Sequence, residues 1–199
     1  MLRALHYSHQ LLDSLIHRFP DGNFIDATLG KGKDSALILQ HPAFRGKVYS
    51  FDIQDQAIQE SRQRLASLEQ YDRIEIIQDS HANLSTYLGD QAIHGAIFNL
   101  GYLPGGDHTI TTQADSTLAA LDQIRSRLVI GGQILIVVYA GHPQGQIEKS
   151  ALFTHLATWP QTAFQVLQYG FINQINHPPL LLVVEKTKEE SKEHSTLTE

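Results

Sequence analysis

The 199-residue sequence contains no cysteine. That absence excludes a disulfide framework, thiolate metal centres, iron–sulfur ligation and a cysteine nucleophile. Long apolar runs are missing too: the stretch 180–184 falls far short of the roughly 20 residues that a membrane helix needs. At the N-terminus, His6, Ser8, His9 and Gln10 interrupt any signal-peptide core, so the expected location is the cytoplasm, with no membrane partner. Positive charge is not in excess, since 15 Lys and Arg stand against 21 Asp and Glu, for a formal net charge of -6. Such a balance argues against indiscriminate nucleic-acid binding, while a local basic face and 11 histidines leave room for a specific anionic partner. No repeat or Pro/Gly/Ser-rich linker divides the chain, and 42% apolar with 18% charged residues is an ordinary globular composition. The expectation is one domain over 1–186, followed by a polar, disordered tail over 187–199.

What is present is alternation. Leu5, Leu11, Leu12, Leu15, Ile16 and Phe19 recur at helical spacing, and Pro20-Asp21-Gly22 ends that covering helix. Strands are expected at 24–28, 47–53, 74–78, 93–100 and 133–139, the last entered through a turn at Gly131-Gly132. Between and after them come helices at 33–40, 56–68, a short one through Leu84 and Leu88, 112–128 and 147–158. A final strand pair, 164–171 and 180–185, leaves no room for a crossover helix and must be an antiparallel hairpin. Seven strands, mostly parallel, with a C-terminal antiparallel hairpin, resemble the Rossmann-like class I methyltransferase fold, an α/β architecture.

In such sheets ligands sit at the carboxyl ends of the strands. After the first strand comes Asp26-Ala27-Thr28-Leu29-Gly30-Lys31-Gly32-Lys33-Asp34, whose glycines admit a ligand close to the backbone and whose helix start offers free N–H groups. The run is not a P-loop, because spacing and ending differ, and it fails the dinucleotide G-x-G-x-x-G pattern because Ser35 stands in the third glycine position. After the second strand, Asp52 lies where an acidic side chain accepts from ribose hydroxyls. After the third, Asp79 is placed to accept from an adenine amino group while Ser80 caps the next helix; both can also be read as caps alone. After the fourth comes Asn99-Leu100-Gly101-Tyr102-Leu103-Pro104-Gly105-Gly106-Asp107, a glycine-rich loop with an aromatic inside it. It is similar to the N/D-P-P-Y motif of methyltransferases that act on exocyclic amines, with Leu100-Gly101 in place of the prolines. His6 and His9, three apart on one helix, have no third ligand nearby in sequence, and no metal is expected.

These strand ends, together with Phe51, His81, Tyr139-Ala140-Gly141-His142 and Asn176-His177-Pro178-Pro179, resemble one family from about His9 to Lys186. It is the small bacterial methyltransferases once labelled rRNA methylases and since associated with methylating 5-aminomethyl-(2-thio)uridine at the tRNA wobble position. Two departures stand out: Lys31 replaces the Asn common in the family's G-N-G turn, and His108 stands where Lys often follows the loop Asp.

The resemblance implies S-adenosyl-L-methionine as cofactor and a tRNA anticodon arm as partner, gripped by a single copy or a homodimer. The donor pocket it implies comprises Asp26, Thr28, Gly30, Lys31, Gly32 and Asp34, then Asp52, Ile53 and Gln54, then Asp79, Ser80 and His81, and finally Asn99, Leu100 and Gly101. Asn99 would position the acceptor amine, Tyr102 stack on the uracil and Asp107 steer or deprotonate the ammonium; Asp107 can equally cap the helix that follows. His9 resembles a family position near the donor pocket. Methylation of rRNA or of a small amine is the alternative within the class, and a non-catalytic cofactor- or RNA-binding module is the alternative outside it.

Overall fold

The computed structural model describes residues 1–101, 112–141, 143–176 and 178–190. Alternating β-branched runs and amphipathic helices build one seven-stranded sheet between two helical layers. In chain order the elements are α1 (Ala4–Arg18), β1 (Asn23–Asp26), α2 (Lys33–Gln40), β2 (Lys47–Asp52), α3 (Asp55–Leu65), β3 (Ile74–Gln78) and α4 (Leu84–Leu88). There follow β4 (Ile93–Leu100), α5 (Ala114–Arg127), β5 (Leu128–Val138), α6 (Pro143–Leu156), β6 (Phe164–Tyr169) and β7 (Leu180–Lys186).

The strand order is β3-β2-β1-β4-β5-β7-β6. The pairs among β3, β2, β1, β4 and β5 are parallel, and β7 runs antiparallel to both β5 and β6, so the expected fold class is the observed one. The order reverses between β1 and β4, which opens a crevice at their carboxyl ends.

Central strands are buried on both faces and therefore read as continuous apolar runs. In β5, Leu135 and Val137 face the layer of α1, α2 and α3, where they meet Leu12, Leu15, Ile38 and Ile58. The alternate residues Ile134, Ile136 and Val138 face α4, α5 and α6, against Leu84, Leu121, Ile124 and Leu152. Among the described residues, no helix is long and apolar enough to cross a membrane.

The boundaries furthest from expectation are the starts of β5 and α6. Gly131 and Gly132 do not turn into β5 but lie within it, where the register slips from Ile93 opposite Leu128 to Gly95 opposite Gln133. The device is a bulge: Gly131 takes φ 79°, and Arg18 Nη1 donates to its carbonyl at 2.8 Å. Glycine supplies a positive φ to turns and bulges alike, so the sequence signal is shared. Helix α6 begins at Pro143 rather than near 147, because proline suits a first helical position whose N–H has no partner. Beyond β7, Thr187 and Lys188 donate backbone N–H groups to Ala163 O, and Glu190 pairs with Arg125, so 187–190 are tied to the body.

Gly46 is the tightest approach in the frame: a Cβ built there lies 1.9 Å from Gly22 O. Replacing Gly46 with Ala must push apart two backbone turns. The expected loss is about 3 kcal/mol or more of unfolding free energy by urea titration; a loss below about 1 kcal/mol would show that these turns can separate cheaply.

Candidate functional site

The sheet brings four strand ends together around the loop between β1 and α2. Leu29 N donates to Phe51 O at the end of β2, and Gly30 N donates to Asp52 Oδ2, both at 2.9 Å. Thr28 Oγ1 accepts from Asn99 N at 2.7 Å, which clamps the same loop to the end of β4. His81, just after β3, places Nδ1 2.8 Å from Ala27 O. A carbonyl can only accept, so Nδ1 carries the proton and Nε2 presents a lone pair. Burial holds this ring below the ordinary histidine range, hence neutral. Its Nε2 is buried without a partner.

Carboxylates dominate the loop. Asp26 is fully buried and accepts from Ser35 Oγ at 2.6 Å and from Thr28 N at 3.3 Å; Ser35 Oγ also meets Ser50 Oγ at 2.8 Å. Burial first, and the Asp34 carboxylate second, push its pKa up to about 7 against the lowering pull of Ser35 and Thr28. Asp52 is half-buried and accepts from Gly30 N and Gln54 N, both at 2.9 Å. Next to it, Ile53 is 58% exposed, an apolar side chain left open beside a carboxylate. Asp79 accepts from Ser80 N, Asn83 Nδ2 and Tyr87 Oη, which hold it below the usual carboxylate range. One lone pair on Oδ2 is left over. Ser80 Oγ also caps the short 3-10 turn by accepting from Ala82 N, the capping role expected of it.

Asn99 closes the site. Its Nδ2 donates to Asp34 Oδ2 at 2.5 Å, and its Oδ1 is buried with no partner. Asp34 is 8% exposed and its other oxygen lies 2.7 Å from His9 Nε2. Tyr139, at the end of β5, is raised above the usual phenol range by burial and by Asp34.

Several expected donor residues face elsewhere. Lys31 Nζ pairs with Glu60 on α3 at 3.2 Å, and the Leu100 side chain is packed into the core, 1% exposed. Gly101 exchanges hydrogen bonds with Thr112, accepting at its carbonyl and donating to Thr112 Oγ1, both at 3.0 Å. Tyr102, Asp107 and His108, with His142 and His177, lie outside the described residues. Sequence reasoning missed Glu148, which is 2% exposed and accepts from Thr112 Oγ1 and Thr117 Oγ1 at 2.7 and 2.9 Å. Nothing in its neighbourhood along the chain signals that contact, which spans 36 and 31 positions. Among the described residues, Asp13, His17 and His41 set ligand atoms within 4.8 Å of one another at the far end of α1. Ala43 N donates to His41 Nδ1, so the proton of the neutral ring sits on the Nε2 that faces Asp13, not a lone pair for a metal.

A mixed sheet of this order with a crevice of paired carboxylates, open glycines and an exposed apolar side chain defines the class I methyltransferase architecture. Residues 48–185 match the family model described as "Putative rRNA methylase". A Clostridium thermocellum structure of the same description is 37% identical, covers 94% of this chain and 98% of its own, and superposes with a TM-score of 0.89. A Streptococcus mutans protein solved in complex with SAH is 36% identical, covers 94% and 99%, and gives 0.84. The chloroplastic tRNA (mnm(5)s(2)U34)-methyltransferase of Arabidopsis thaliana is 28% identical over 193 residues, 92% of this chain and 70% of its own. The chain belongs to the rRNA methylase family. It is an S-adenosylmethionine-dependent RNA methyltransferase.

The residues present fit that cofactor. Asp52 keeps lone pairs that would take ribose hydroxyls, Ile53 would lay an apolar face against adenine, and Asp79 Oδ2 has one acceptor position left that would take the amino group. Gly30 and Gly32, with φ 49° and 71°, hold the backbone in a left-handed turn that leaves the start of α2 open.

Proposed function

We propose that this chain methylates the exocyclic amine of 5-aminomethyl-(2-thio)uridine at the wobble position of tRNA, the anticodon arm being its macromolecular partner. The observation that carries this reading is the unpartnered, buried Oδ1 of Asn99, aimed by the bond of its own amide to Asp34. A primary amine carries N–H groups that such an oxygen accepts. A ring carbon has no polar hydrogen to give, so the site suits a heteroatom acceptor, of which the exocyclic amine is one.

When bound, S-adenosylmethionine supplies an electrophilic methyl on a sulfonium that departs as a neutral thioether. Asn99 Oδ1 accepts one N–H of the neutral amine and so turns the nitrogen lone pair along the line of attack. Holding donor and acceptor in line is the larger part of the rate gain in such a displacement. The buried surroundings of Oδ1 favour the amine over the ammonium, since burial disfavours the charged form. Asp52, and Asp26 when ionised, set negative charge beside the donor loop that favours a cationic donor over its neutral product.

The Arabidopsis relative supports tRNA as the acceptor, whereas the family description names rRNA. Labelled S-adenosylmethionine, offered with total tRNA and separately with rRNA from cells lacking the protein, separates them. The expected result is a gain of one methyl on 5-aminomethyl-uridine nucleosides of tRNA by mass analysis. Label confined to rRNA, or donor binding without transfer to either RNA, would overturn the acceptor.

A further inference from the structure

Helix α1 stands before the sheet and contributes no strand end, yet one of its side chains reaches the site. His9 Nε2 lies 2.7 Å from Asp34 Oδ1, and Asn99 Nδ2 lies 2.5 Å from Asp34 Oδ2. Both oxygens of a carboxylate that is 8% exposed are therefore turned toward protein donors. The sequence expectation placed Asp34 in the donor pocket; in the structure each of its oxygens also takes one bond from a side chain of this chain.

The consequence falls on Asn99. Its backbone is fixed, because its N–H donates to Thr28 Oγ1 at 2.7 Å. What remains open is a half-turn of the carboxamide, which exchanges its oxygen and nitrogen. Turning it would set Oδ1 against the Asp34 carboxylate, two acceptors at contact distance, so the charge-assisted N–H···O bond selects one orientation. In that orientation Oδ1 is the atom left free and buried. His9 acts one step further back, since its donation holds the plane of the carboxylate in a place where rotation would leave an oxygen unsatisfied.

We infer that His9 and Asp34 are positioning residues for methyl acceptance, orienting Asn99 Oδ1 toward the acceptor amine from a helix that precedes the sheet. This rests on the reading of Asn99 as the acceptor-side group. Asp34 touches neither donor nor acceptor in this scheme, so the affinity for SAH should be insensitive to it while turnover is not.

The test uses Asp34→Asn, His9→Ala and His9→Gln in the full chain, with three readouts. The first is the 1H–15N signal pair of the Asn99 side-chain amide, assigned by its disappearance in Asn99→Asp. The second is SAH affinity by calorimetry, and the third is kcat and KM for RNA. In Asp34→Asn, the Asn99 amide proton should lose its downfield shift and kcat should fall about 100-fold, the scale of a small misplacement. SAH affinity should stay within about threefold, since no donor contact is removed. In His9→Ala, kcat should fall about tenfold, the scale of one lost hydrogen bond, and His9→Gln, which restores an N–H donor, should recover part of it. His9 is partly exposed, so its variants keep the test alive if Asp34→Asn does not fold. Unchanged Asn99 amide signals in the His9 variants, or SAH affinity falling in step with turnover, would overturn the inference. If instead the amide signals move but Asn99→Ala remains active, the contact chain stands and the acceptor reading of Asn99 fails.

Discussion

Truncating Asn99 to alanine is expected to lower methyl transfer by about a hundred- to a thousand-fold, the range seen when one preorganised hydrogen-bonding group is removed from a reacting centre. Donor binding should survive, because the groups that fit the cofactor are Asp52 at the end of β2, Ile53 just after it and Asp79 after β3, and none of them is hydrogen-bonded to the Asn99 side chain. Single-turnover transfer to tRNA, measured beside SAH affinity, checks both halves. Retention of more than about a tenth of the wild-type rate would remove the positioning role. Asn99→Asp is the sharper variant. It keeps the size and the acceptor oxygen but sets a second carboxylate at the 2.5 Å contact that Asn99 Nδ2 now makes with Asp34 Oδ2. Two carboxylates so close cannot both ionise, so one binds a proton and the residual activity should fall as pH rises.

The second large effect is in pH. Asp26 titrates near 7 in the folded chain against 3.8 for the unperturbed group, because it is buried and faces Asp34. The folded state therefore holds a proton that the unfolded chain releases. The stability this contributes is present in full below about 3.8 and is lost as pH rises through about 7. The span corresponds to a contribution of about 4 kcal/mol at most, read as an order of magnitude. Asp26→Asn should flatten this part of the urea-denaturation profile between pH 4 and pH 8, taken in roughly unit steps.

The same proton links to the cofactor. A cationic donor near Asp26 and Asp52 favours the ionised form of Asp26, so its binding near pH 7 should expel about half a proton and tighten as pH rises. Calorimetry in buffers of different ionisation enthalpy reads the proton directly. Proton uptake on binding, or an identical profile in Asp26→Asn, would show that Asp26 does not sense the donor.

Particular stretches explain how much of this was legible beforehand. Ile134 to Val138 and Leu180 to Val184 are buried on both faces, which strips their sequence of alternation and marks central strands. The antiparallel end of the sheet followed from the shortness of the segment between β6 and β7. Asp26, Asp52, Asp79 and Asn99 could be singled out because strand ends are local features, set by where an apolar run stops. The bulge at Gly131 was not separable from a turn, since both ask a glycine for the same dihedral angle.

Local periodicity, then, determined the elements, their order and the four strand ends from which the site is built, because each depends on side chains a few positions apart. Tertiary structure alone decided which of those residues meet. The Asp34 carboxylate is 25 positions from His9 and 65 from Asn99, and Glu148 is 36 from Thr112. Those contacts arise from strand register and the seating of α1 and α6 on opposite faces of the sheet, which no spacing along the chain encodes. The displaced titration of Asp26 belongs there as well, for it needs a dry interior and a second carboxylate folded against it.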